Sequence, residues 1–101
     1  MKSAFSLVLA ASLFASVALA ADPDNGKRIA ERWCVSCHVI APDQKTATAD
    51  APPFESIAKI PGFEAEALVF FLLEPHPKMP SMLLTRKDAN DLAAYIGNLA
   101  K

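Results

Sequence analysis

The sequence predicts a single all-α domain of three to five helices, on three observations. Thr85 to Ala100 places Leu92, Tyr95, Ile96 and Leu99 at i, i+3, i+4 and i+7, one face of a helix. Cys34, Cys37 and His38 fall at i, i+3 and i+4, the spacing of one helical turn. No strand–helix–strand pattern is visible anywhere. A chain of 101 residues allows one domain at most.

The leader comes first. Met1 to Ala20 carries Lys2, an apolar run with a few serines and no acidic residue, and ends in Ala18-Leu19-Ala20. A charged start, an apolar middle and an A-x-A site describe a secretory signal peptide, so residues 1–20 are expected to be cleaved. The rival is an uncut membrane anchor, but the run is short for a span and broken by Ser6, Ser12 and Ser16. Cleavage leaves residues 21–101 as the domain, with no membrane span. It also removes Lys2, making the formal net charge one unit more negative than the -1 of the whole chain. There is no basic stripe, so no nucleic-acid partner is expected.

Ala21 to Asn25 supplies turn residues, and Asp24 or Asn25 would cap a helix starting near Gly26. Ile29 and Trp33 share a face of that helix. Gly26 is either a cap glycine or the mark of a close helix approach.

The helix runs into Cys34-Val35-Ser36-Cys37-His38, the C-x-x-C-H of a c-type haem attachment site. Each thiol can form a thioether to a haem vinyl group, and the adjacent imidazole can bind the iron. Three other uses compete. A disulfide across two residues closes almost no loop. A thioredoxin-type dithiol follows a strand, which is lacking here. A zinc site would combine Cys34, Cys37, His38 and His76, but structural zinc prefers two spaced ligand pairs. Export favours thioethers, since free thiols in an oxidising compartment tend to pair.

Residues 38–53 read as loop, with Pro42, Pro52 and Pro53. A proline carbonyl there, Pro52 first, is a candidate acceptor for the Nδ1 proton of His38. Phe54 to Ile60 forms a short helix closed by Pro61-Gly62. Phe63 to Leu73 fits a buried strand by pattern, but Glu64 to Leu68 are good helix formers with acids in the first turn. A helix buried on most sides is expected. Three prolines between Glu74 and Pro80 then enforce a stiff loop. Thr85 caps the last helix, with Asp88 in the capping-box position.

A haem held by one histidine has a sixth coordination position. Met79, flanked by Lys78 and Pro80, leads; Met82 and His76 are alternatives, as is an open site. Phe54, Phe70, Phe71, Leu83 and Tyr95 are the expected pocket residues. A buried macrocycle would staple a domain near the lower size limit of independent stability.

The order of leader, Gly26, Cys34-x-x-Cys37-His38, proline-rich loop, Met79-Pro80 and a Leu92-x-x-Tyr95 helix resembles the small bacterial class I cytochromes c, across essentially all of 21–101. In that family a glycine and an aromatic on the first helix cross the last helix. Gly26 matches, but Ala30 stands where the aromatic is common, with Trp33 as a possible substitute. The resemblance implies a cytochrome c-like fold around one covalently bound haem c. It also implies Cys34 and Cys37 as thioether residues, His38 as proximal ligand and Met79 as distal ligand. With both axial positions filled, the expected function is electron transfer and not enzymatic catalysis: a soluble, monomeric carrier in the periplasm. Its partners would be transient redox proteins, docked by lysines among Lys27, Lys45, Lys59, Lys78 and Lys87, with Lys78 foremost. The alternatives are a gas- or peroxide-reactive haem with an open sixth position, or a subunit of a larger redox enzyme complex.

Overall fold

The computed structural model describes residues 20–74 and 78–101. The expected leader, but for Ala20, and the candidate ligand His76 lie outside the described residues. Four helices, α1 (Pro23–Trp33), α2 (Phe54–Ala58), α3 (Ala65–Leu73) and α4 (Arg86–Asn98), form the all-α fold, and no strand occurs among the described residues.

Helix α1 begins before Gly26. Asp22 is its cap and accepts the Asp24 and Asn25 N–H groups at 3.0 and 3.2 Å. Pro23 takes the first helical position, where its missing N–H removes no bond and its fixed φ suits the helix. The cap is therefore the residue before the proline, and not Asp24 or Asn25.

Gly26 lies inside α1, against α4. A Cβ there would overlap the Asp91 carbonyl oxygen and come within 2.9 Å of the Tyr95 Cβ. The close-approach reading of Gly26 is the correct one. Ala30, one turn on, is fully buried, and the small Ala89 and Ala93 of α4 are buried too. Trp33 does not fill this crossing: it is 55% exposed, with the Arg32 guanidinium 5.4 Å from its ring centroid. Small side chains bring the two backbones together, which leaves no room for an aromatic.

The buried Asp91 ties the two helices electrostatically. Its Oδ1 accepts the Asp22 N–H at 2.8 Å, and its Oδ2 accepts Asn25 Nδ2 at 2.9 Å and Lys87 Nζ at 2.6 Å. Burial pushes the Asp91 pKa up, but these three donors outweigh it and hold the carboxyl below its ordinary 3.8.

Helix α4 has the expected cap, with Asp88 N–H donating to Thr85 Oγ1 at 3.0 Å. Its stripe is the centre of the core: Leu92 and Ile96 are almost wholly inaccessible, and Tyr95 is buried. Helix α3 is a helix, as expected, yet only Val69 and Leu72 are buried. Phe70 and Phe71 are 53% and 52% exposed. Nine residues packed on one neighbouring helix cannot bury every side of a mostly apolar helix. Phe70 instead lies under Arg86, 5.7 Å from its guanidinium. Among the described residues, no helix is long and apolar enough to cross a membrane.

Gly26→Ala should lose stability in denaturant titration. The overpacking cost of about 1–3 kcal/mol exceeds the ~0.5–1 kcal/mol gained in helix propensity. Asp91→Asn should lose about 1–3 kcal/mol near neutral pH. A carboxylate with a lowered folded pKa stabilises above its unfolded value and loses that contribution as pH falls through the folded one. The melting temperature of the parent should therefore fall more steeply below about pH 4 than that of Asp91→Asn.

Candidate functional site

The last turn of α1 continues into the cysteine motif. Cys34 N–H donates to Ala30 O at 2.9 Å, and both Cys37 N–H (3.1 Å) and His38 N–H (2.9 Å) donate to Cys34 O. This helical turn sets Cys34, Cys37 and His38 on the wall of one cavity of about 710 Å³. That volume lies within the roughly 300–1,000 Å³ of ligand pockets. Phe54 and Ile57 of α2, Leu68, Phe71 and Leu72 of α3, and Leu92 and Ile96 of α4 make the lining largely apolar. The segment from Lys78 to Met82 closes another part and brings both Met79 and Met82 to the cavity.

His38 is oriented by its surroundings. Its Nδ1 lies 2.7 Å from Pro52 O. A carbonyl can only accept, so Nδ1 carries the proton and Nε2 keeps the lone pair that a metal would take. Pro52, and not Pro53, is thus the acceptor. The Phe54 ring sits 5.0 Å from the imidazole, tilted by 48°.

Burial, and then the neighbouring Cys37, push the Cys34 thiol up to about 11. A protonated, buried thiol is the opposite of the activated thiolate that dithiol redox chemistry requires. Among the described residues, no three His, Cys, Asp or Glu gather to hold a metal ion; the fourth ligand of the zinc reading, His76, lies outside them.

Of the expected pocket residues, Phe54 and Phe71 line the cavity, whereas Phe70, Leu83 and Tyr95 do not. Leu83 is 99% exposed. Tyr95 lies on the α1 side of α4, where its hydroxyl donates to Ile40 O at 2.7 Å. Trp33, Ile57, Leu68 and Leu72 also line the cavity, with no signal in the sequence to set them apart from ordinary core. Leu92 and Ile96 were legible as a stripe but not as a wall. The lysines differ in availability: Lys59 pairs with Glu55 at 2.8 Å and Lys87 with Asp91, while Lys78 is exposed at the cavity.

The residues present fit a haem. Two thiols and an imidazole with a free Nε2 share an apolar cavity with two thioethers, the soft neutral donors that suit haem iron.

Comparison with known proteins agrees. The family described as cytochrome C oxidase, cbb3-type, subunit III matches residues 21–96. Cytochrome c-552 of Bradyrhizobium diazoefficiens is 57% identical over 93 residues, which cover 92% of this chain and 89% of that protein. No solved structure matches the chain. The chain belongs to this cytochrome c family and is a small monohaem c-type cytochrome, an electron-transfer protein carrying covalently bound haem c.

Proposed function

We propose that this protein is a soluble, monomeric carrier of single electrons in the periplasm, its haem joined to Cys34 and Cys37 and its iron bound by His38 and Met79. The observation that carries the reading is the convergence of these four side chains on one apolar cavity. The bound haem supplies one-electron chemistry between ferric and ferrous iron.

The chain's own residues hold and tune that centre. Cys34 and Cys37 fix the group to the end of α1. His38 offers Nε2, with its tautomer set by Pro52. Met79 is favoured over Met82 because the ring of Pro80 restricts the backbone of the residue before it. A thioether must be held in place by its loop, being a weak donor. The apolar lining and a neutral sulfur both favour the ferrous state and raise the potential. With His38 and Met79 both bound to it, the iron would have no place for dioxygen or peroxide.

Lys78 stands exposed at the cavity and offers positive charge to an acidic partner surface. Redox encounters of this kind bury little area and dissociate quickly. The pattern of residues 1–20 supports export and cleavage. The description of the matching family as an oxidase subunit favours a second reading, in which the protein is held in a larger redox complex.

Mass spectrometry of the exported protein should read residues 21–101 plus one haem; no added mass removes the reading. In absorption spectra, Met79→Ala should abolish the far-red sulfur-to-iron band of the oxidised form and lower the potential, whereas Met82→Ala should keep both. The reverse pattern moves the ligand to Met82, and a high-spin parent spectrum moves the protein to gas or peroxide chemistry. Native extracts run by size exclusion, followed at the Soret band, should place it at monomer size; elution with a large assembly would favour the oxidase-bound reading.

A further inference from the structure

Gln44 does not line the cavity, yet its side chain makes four hydrogen bonds around the attachment turn. Its Oε1 accepts the Ile40 N–H at 2.9 Å. Its Nε2 donates to His38 O at 2.9 Å, Val35 O at 3.1 Å and Thr46 O at 2.9 Å. Two amide hydrogens serve three carbonyls, so one is shared. We propose that Gln44 is a positioning residue that fixes the orientation of His38 and through it the reduction potential of the centre. This inference rests on His38 being an iron ligand.

The geometry gives the reason. Residues 38–53 contain no helix or strand, so their backbone polar groups have no ladder to join and need other partners. Gln44 supplies them from one side chain. His38 is consequently held by its N–H on Cys34 O, by its C=O on Gln44 and by Nδ1 on Pro52 O. Pro52 lies in the same loop, so the loop's shape sets the Nδ1···O distance. Ile40 is held at both of its polar groups, its N–H by Gln44 and its C=O by the buried Tyr95 hydroxyl. The hydrogen bonds thus run from α4 through Ile40 and Gln44 to His38. Losing the Gln44 donors lets the loop relax and the Nδ1 bond lengthen. The imidazole then gives less electron density to the metal, which favours the reduced state.

The test uses the holoprotein. Gln44→Met keeps the length and removes every hydrogen bond. It should raise the midpoint potential, displace the hyperfine-shifted His38 resonances in the NMR spectrum, and make the Ile40 N–H exchange with deuterium roughly tenfold faster, the factor one lost hydrogen bond supplies. Gln44→Glu keeps an acceptor for Ile40 but not the donors. It should displace the His38 resonances while Ile40 stays protected; its added negative charge favours the oxidised state, so the potential is read in Gln44→Met. Asp91→Asn is the control for simple destabilisation, since Asp91 does not line the cavity; it should lower the melting temperature and leave the potential and the resonances in place. A parent-like potential in Gln44→Met, or parent-like resonances in both Gln44 variants, overturns the proposal, as does an equal shift in Asp91→Asn. A parent spectrum without strongly shifted imidazole resonances instead removes His38 as ligand, and the role of Gln44 with it.

Discussion

Gly26 has no Cβ, and the backbone of α4 at Asp91 occupies the space one would fill. The rest of the fold follows from that contact. It holds α1 and α4 closely enough for the buried Asp91 to accept from Asp22 and Asn25 across the crossing. It also aims the end of α1, and with it the turn from Cys34 to His38, at the cavity that α4 walls with Leu92 and Ile96. A larger residue at 26 would move the helix that carries the attachment site.

From that fixed turn the chain has one way to complete the site. The loop beyond His38 must pass close enough to present Pro52 O to the ring, and Phe54 must then enter the core beside it. Gln44 and Thr48 hold the loop by bonding to carbonyls of the turn itself: Thr48 N–H donates to Ser36 O at 2.8 Å, and Gln44 takes those of Val35 and His38. Polar groups outside the cavity therefore order the donors inside it. The apolar residues mainly supply a low-dielectric wall.

The sequence made legible those features whose cause is local. The spacing of Cys34, Cys37 and His38, the cap at Thr85, the stripe of α4 and the helical state of α3 each depend on residues within a turn or two. The start of α1 is also local: Pro23 at the first helical position marks Asp22 as the cap, a signal that the capping propensity of Asp24 and Asn25 masks. The remaining differences are tertiary. Nothing in a run of apolar residues tells that Phe71 meets a cavity while Phe70 meets Arg86, or that Leu83 is left exposed. Trp33 is an aromatic on the same helix, but the small residues at 26 and 30 close the crossing without it. Gln44 carries no signal at all, since one amide in a loop becomes a clasp only when three carbonyls converge on it.

Trp33 stands half-exposed at the end of α1. It is the sole tryptophan of the chain, and it stands on the wall of the cavity that fits the haem. A porphyrin there lies within energy-transfer distance of the indole and absorbs in the range where it emits. Intrinsic fluorescence is thus dark when the site is filled and bright when it is not, which makes the protein its own optical gauge of cofactor loading during maturation.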